Sequence, residues 1–339
     1  IRLTFWLGVV LVAATAAFST IAYVPGLEFT SSETFWLFLF AGIAIVFTFM
    51  GGMWAVTVID SIQFILMLGG ALIILPIVMA KVGWWPGLMS HLAEGKMNLV
   101  PQTGQYNWQF VLAIWILGIQ WASTDAGLLQ MSLSSKDPRS AARGLVLAGI
   151  ITTPFALLWI LPGLVSSVLL PGLENMDKAF PTLISQSLGP ALIVLVACGL
   201  LSNQMSTVST NLTGVASVFC NDVYKSLFNR EASQRQTLII VRTMIVIAGL
   251  MGIGFAFLIP LIGENVVAAY LTVVGIFDMP FFVITIVFGL LWKRGNWQGM
   301  LIGYLVGIVV GSLSAYYRGV DAFFFSTFLS TAAVLVAAP

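Results

Sequence analysis

Charge is scarce in this sequence: 14 Lys and Arg and 13 Asp and Glu make up only 8% of 339 residues. Soluble domains carry about 25%. With 59% hydrophobic residues and a mean hydropathy of +1.03, water-soluble catalysis is excluded and a polytopic membrane protein is implied. Histidine is almost absent: His91 stands alone, in the polar stretch "SHLAEGK". The spans therefore hold no histidine for a metal cluster or for a nucleophile–base pair, so a membrane enzyme is not expected. The two cysteines, Cys198 and Cys220, lie in or beside apolar segments and imply no disulfide framework. The net charge of +1 comes without a basic cluster, so nucleic acid is not an expected partner. The chain opens at Ile1 without a signal peptide and stops inside the apolar run "TAAVLVAAP", so a piece of a longer protein is expected.

What the sequence has is long apolar runs. A spanning helix needs roughly 20 mostly apolar residues. Candidates are 3–24, 35–50, 57–80, 108–131, 144–170, 190–221, 238–261, 266–292, 298–317 and a partial 322–338. The ten-residue alternation of a membrane barrel is absent. Lipid forces backbone polar groups to pair within the segment, so the expected fold is all-α and polytopic, with nine to ten spans. Alternate loops differ in charge. One set holds Arg2, Lys136, Arg139, Arg143, Lys225, Arg230, Arg235, Arg242, Lys293 and Arg294; the other holds only Lys81, Lys96, Lys178 and Arg318. Lys and Arg favour cytoplasmic loops, which predicts a cytoplasmic chain start and an external loop over 81–107.

Polar side chains gather at a few places. "SNQMSTVSTNLT", Ser202–Thr213, has nine polar residues in twelve within an apolar run. Helical spacing puts Asn203, Ser206, Thr207, Thr210 and Gly214 on one face. Neutral hydroxyls and a backbone carbonyl suit a sodium ion, a hard cation that wants several oxygens. The alternative is helix–helix glue, in which Ser and Thr bond their own backbone or a neighbouring helix. The sequon Asn211-Leu212-Thr213 falls within the membrane zone and is not expected to carry glycan.

Three acids sit within or at the edge of spans: Asp60, Asp125 and Asp278. Each costs roughly 2.5–3.5 kcal/mol there on insertion scales and normally faces a cavity, an ion or a partner. Asp60 is a cation ligand or a cap at a helix end. Asp125, in "GIQWASTDAGLLQ", marks a discontinuous helix: small residues weaken it, and Ser123, Thr124 and Asp125 can bond their own backbone. Asp278 precedes Pro280, where a kink is expected, and serves function or caps the break. With every Arg and Lys assigned to loops, no basic partner for these acids is expected within the spans.

Four stretches resemble the sodium/solute symporters, relatives of the sodium–proline and sodium–galactose transporters. Gly51-Gly52-Met53-Trp54-Ala55-Val56 through Asp60 and Gln63 resembles the family's "YGGLxAVxxTDxIQ". "QMSLSSKDPRSAARG", Gln130–Gly144, resembles "QRxLAAKSxxxAxxG". "DKAFPTL", Asp177–Leu183, resembles the segment before the family's sodium helix, and "MSTVSTNLTGVASVFCNDVYK", Met205–Lys225, resembles that helix. The chain departs from the pattern at Met131, often Arg in the family, at Ile59, usually Thr, and at Asp125, where a sugar carrier has an amide.

The resemblance implies an inverted-repeat core of five plus five helices, lacking its first helices. It implies one transporter domain over 1–339: 1–107 as the rest of the first repeat with an external loop, 108–292 as the second repeat, and 293–339 as peripheral helices. Sodium ligands would be Asn203 by its carbonyl, Ser206, Thr207 and, for a second ion, Asp60. Substrate contacts would be Trp121, Thr124, Asp125, Thr272 and Asp278. The implied function is sodium-coupled symport of a small organic solute by alternating access, in the plasma or inner membrane. An ionised Asp125 facing the cavity would favour a substrate with an amine. A symporter-like sensor and a proton-coupled carrier are the alternatives.

Overall fold

The computed structural model describes residues 2–92, 95, 108–263, 265–284 and 296–318, with backbone alone for 52–59, 109, 113 and 131. Eleven α-helices are described: α1 (Arg2–Ile21), α2 (Glu33–Lys81), α3 (Trp84–His91), α4 (Trp108–Thr124), α5 (Ala126–Leu133), α6 (Pro138–Leu169), α7 (Ala179–Ser187), α8 (Pro190–Val218), α9 (Gln234–Ile262), α10 (Val266–Phe282) and α11 (Trp297–Arg318). A π-helix, Phe219–Phe228, extends α8. No strand occurs among the described residues. Seven segments are long and apolar enough to cross a membrane, and Phe110–Thr124 and Val266–Phe282 are shorter apolar helices. The partial span 322–338, the end of 266–292 and most of the loop 81–107 lie outside the described residues.

Apolar side chains face outward in quantity. Trp115, Ile65 and Leu261 are each more than two-thirds exposed. Such a surface is a liability in water and is the lipid-facing side of a membrane protein. His91 is used locally: its Nδ1 lies 2.8 Å from the Gly87 carbonyl oxygen.

The packing divides into two units. Among the described residues, the first holds 3–92 and 126–258; the second holds Arg2, 95, 108–125, 259–263, 265–284 and 296–318.

In the first unit, α2 is the informative element. Its 49 residues would form a rod of roughly 73 Å if straight. Yet its two ends meet one short segment: Glu33 pairs with Lys178 at 2.7 Å, and Lys81 donates to the Gln186 carbonyl at 2.9 Å. Phe38 and Phe49 meet α9 at Phe257 and Arg242, the latter a cation–π contact of 5.1 Å. Beyond them Leu66 and Gly70 run antiparallel to α8, against Gly199 and Val196. Thus α2 is two antiparallel arms, and the chain reverses between Phe49 and Asp60, around the Gly51–Gly52 pair. The two spans expected at 35–50 and 57–80 are these arms.

Small residues let the helices close. A Cβ on Gly199 would lie 3.1 Å from the Leu66 carbonyl oxygen, so only glycine fits without a shift. Around this seam Leu37, Phe40, Ala44, Val208, Leu212, Ile245 and Ala248 form a buried core with α1. A second cluster joins Ile74 and Val78 of α2 to Leu183, Ile184 and Val196.

In the second unit, α4 and α10 share a core of Leu117, Leu271, Val274 and Met279. Phe281 meets Tyr304 of α11 edge-to-face at 6.3 Å.

In chain order the spans are α1 and the two arms of α2; then α4 with α5, α6, α8, α9 and α10; then α11.

Candidate functional site

The α2–α8 seam brings together the residues expected at a cation site. Asp60 opens the second arm of α2. Ser206 of α8 lies beside its carboxylate. Running back along α8 from Ser206, Asn203, Gly199 and Val196 follow at three- and four-residue steps, and Gly199 and Val196 touch α2. Asn203 therefore lies on the same seam, where the seam opens: it is exposed, while Asp60, Ser206 and Thr207 are half-buried. The Thr207 hydroxyl donates to the Asn203 carbonyl at 3.0 Å, which places two of the expected oxygens side by side.

Two further residues of "SNQMSTVSTNLT" serve the helix itself. Asn211 is buried and its amide donates to the Thr207 carbonyl at 2.7 Å. Thr213 donates to the carbonyls of Ser209 and Thr210 at 3.1 and 2.8 Å. The helix-bonding reading is seen at these residues. The inner face of the stretch bonds its own backbone, whereas Ser206 turns to a carboxylate on another helix.

Asp60 remains incompletely satisfied. Its Oδ1 is buried without a hydrogen-bond partner. No cationic side chain pairs with it among the described residues. No cluster of three or more His, Cys, Asp and Glu exists among the described residues either. One carboxylate among hydroxyls and carbonyls is a donor set for a hard monovalent cation rather than for a transition metal.

The second constellation lies in the other unit. Helix α4 ends at Thr124, Asp125 is non-helical, and α5 starts at Ala126. This is the discontinuous helix expected from the small and self-bonding residues there. Asp125 and Asp278 are 7% and 4% exposed. The expectation that no base would reach them is corrected: Arg2 Nε lies 2.6 Å from Asp278 Oδ2, and Arg2 Nη2 lies 3.7 Å from Asp125 Oδ2. Arg2 Nη1 also donates to the Thr124 carbonyl at 3.4 Å. By sequence Arg2 falls in a loop, because it precedes the first apolar run. It is instead the first residue of α1, and its long side chain carries the charge away from its own backbone.

The remaining expected substrate contacts are not all drawn in. Thr124 joins the group through its carbonyl, while its hydroxyl donates to the Gln120 carbonyl at 2.8 Å. Trp121 is 47% exposed. Thr272 is half-buried on α10, and its hydroxyl bonds back to the Ala268 carbonyl at 2.9 Å. Gln120 was missed: it is fully buried, its Nε2 donates to the Thr124 hydroxyl at 2.7 Å, and its Oε1 has no partner. A fully buried amide five residues before the helix break was legible in principle as a polar residue amid "WILGIQWA".

A membrane-embedded helical protein with a broken helix and an intramembrane carboxylate among hydroxyls has the make-up of an ion-coupled transporter core. The comparisons say which. The profile described as "Sodium:solute symporter family" matches residues 3–307, and the chain belongs to that family. A sodium/pantothenate symporter of Haemophilus influenzae is 27% identical over 312 residues, covering 89% of this chain and 64% of that protein. Sodium/glucose cotransporter 4 of Danio rerio is 24% identical over 310 residues, covering 78% of this chain and 46% of that protein. The sodium/glucose cotransporter of Vibrio parahaemolyticus is 24% identical over 299 residues, covering 78% and 54%. The chain thus spans about half the length of several curated relatives. Among solved structures, a substrate-bound, outward-open Na+-coupled sialic acid symporter superposes with a TM-score of 0.78 at 21% identity, covering 99% of this chain and 72% of that one. That likeness establishes the fold.

Proposed function

We propose that this chain forms most of the core of a sodium-coupled symporter for a small organic solute, working by alternating access. The observation that carries the reading is Asp60: of the three intramembrane acids, it alone has no cationic partner among the described residues. Asp125 and Asp278 share Arg2. A desolvated carboxylate beside Ser206, Thr207 and the Asn203 carbonyl calls for a cation, and sodium is the ion that this family's description names. The two arms of α2 and helix α8 hold the ligands at a glycine-tight seam. An ion bound there stabilises one arrangement of these helices over another, which is what coupling requires. The membrane potential adds about 2.3 kcal/mol per inward charge per 100 mV.

Substrate binds at the α4–α5 break, beside Thr124, Asp125 and Asp278, with Trp121 and Thr272 as further contacts. Arg2 neutralises part of the acidic charge there, which removes the main reason to expect an amine. The relatives carry sugars, inositol and pantothenate by name, and a neutral polyol fits a polar site whose one guanidinium is already shared by two carboxylates. The segments 1–107, 108–292 and 293–339 act as one transporter domain in the plasma or inner membrane, with the chain start cytoplasmic.

The test is sodium-dependent tryptophan fluorescence of the full-length protein, with potassium as the ionic-strength control. A saturable response is expected in wild type and absent in Ser206→Ala and Thr207→Ala. A wild type blind to sodium but responsive to pH would replace sodium coupling with proton coupling.

A further inference from the structure

A cavity of about 420 Å³ opens where the π-helical extension of α8 gives way to α9. It is lined by Lys225 from the π-helix, Ala232 from the connector, and Gln234, Thr237, Leu238 and Val241 from α9. The last four follow at three- and one-residue steps that keep to a single face, so α9 supplies one continuous wall. Both flanking segments, Pro190–Phe228 and Gln234–Ile262, are long and apolar enough to span a membrane. Only residues 229–233 join them, so the cavity lies at a membrane surface. A capping box fixes this connector. Ser233 Oγ accepts from the Gln236 amide at 3.3 Å, and Gln236 Oε1 accepts from the Ser233 amide at 3.0 Å.

The lining changes character along its length. Lys225, Gln234 and Thr237 form a polar end, and Leu238 and Val241 lie further along α9, with Val241 against the buried core. From Gln234 to Val241 is about 10 Å along the helix axis. The surroundings are apolar: Phe228 is 74% and Leu238 49% exposed. Lys225 is half-buried, and no carboxylate pairs with it among the described residues. From Asp222 to Arg242 the cations Lys225, Arg230, Arg235 and Arg242 stand against Asp222 and Glu231, a surplus of positive charge. A cationic end above an apolar wall is complementary to an amphiphile with an anionic head. A free phosphate would occupy the polar end alone and leave Leu238 and Val241 uncovered. In the orientation proposed above, the connector faces the cytoplasmic leaflet, which carries anionic lipid. We propose that this cavity binds an anionic phospholipid. Its headgroup phosphate sits on Lys225 with the Gln234 and Thr237 side chains, and an acyl chain runs along Leu238 and Val241.

The experiment is lipid retention by the full-length protein in detergent, read by native mass spectrometry. Phosphatidylglycerol and phosphatidylcholine with the same acyl chains are titrated separately, without sodium, so the outcome is independent of sodium coupling. Wild type should hold phosphatidylglycerol the more tightly. Lys225→Met should lose about fivefold in its affinity for phosphatidylglycerol, and Lys225→Arg should keep it. Thr237→Trp fills the cavity without changing charge and should also lose the lipid. Arg143→Met removes an exposed charge that does not line the cavity and should titrate like wild type. Lys225→Gln replaces Lys225→Met if the latter does not accumulate. Equal retention of the two lipids by wild type overturns the site. Equal losses in Arg143→Met and Lys225→Met also overturn it, by pointing to general surface charge. A Thr237→Trp protein that retains phosphatidylglycerol normally removes the cavity from the account. Displacement of the lipid by equimolar inorganic phosphate would replace the lipid site with a free-anion site.

Discussion

The Arg2–Asp278 pair makes the sharpest energetic prediction. Asp278 is 4% exposed and the Arg2 side chain 25% exposed, with 2.6 Å between Nε and Oδ2. At an effective dielectric near 20, unit charges at about 4 Å attract by about 4 kcal/mol. Removing one partner of a buried pair costs about 3–5 kcal/mol, because the other charge stays desolvated. A quarter-exposed Arg2 puts Arg2→Met at the lower end, about 3 kcal/mol. Asp278→Asn should cost less, about 1–2 kcal/mol, because Arg2 still has Asp125 at 3.7 Å. The double variant should be more stable than the two losses together predict, with a coupling energy of about 2 kcal/mol. Equilibrium unfolding of the full-length protein in mixed micelles, followed by tryptophan fluorescence, measures all four corners of this cycle. A coupling below about 0.5 kcal/mol would mean that the contact is structural coincidence, and the acids would again lack an internal counter-ion.

Three further outcomes follow from particular contacts. Gly199→Leu should force α2 from α8 and cost about 1–3 kcal/mol, with loss of the sodium response; an unchanged unfolding midpoint would refute the tight seam. Asp137 caps α6 by accepting from the Ser140 amide at 2.8 Å, and those hydrogen bonds hold its carboxyl below the ordinary carboxylate range. A depressed folded value means that the cap's contribution is complete above the ordinary value and is lost as pH falls through the folded one. Hydrogen exchange at Ser140 and Ala141, corrected for intrinsic rate, should therefore be flat from pH 7 to 5, and Asp137→Ala should speed it throughout. Asn211, buried and bonded to Thr207, should carry no glycan after expression in a glycosylating host, and a mass shift on deglycosylation would contradict its placement.

Much of the architecture was legible because lipid is a strict solvent. Apolar runs of span length, the lack of strand alternation and the scarcity of charge led to an all-helical membrane fold, and the motifs around Asp60 and Ser206 led to the family. The break at Asp125 was also legible, since residues that bond their own backbone weaken a helix wherever they occur. That Asn203, Ser206 and Thr207 share one face of α8 followed from helical spacing alone.

Other features were set by contacts that no local pattern encodes. Arg2 neutralises two acids more than 120 positions away, and a charge at the edge of an apolar run looks the same in sequence whether it meets water or a carboxylate. Only the structure showed which side chains of Ser202–Thr213 bond their own helix, since a hydroxyl is equally able to bond its own helix or another. The register of α2 on α8 likewise set Asp60 beside Ser206. Spacing fixes which side chains share a face, whereas the close approach at Gly199 fixes which face they meet.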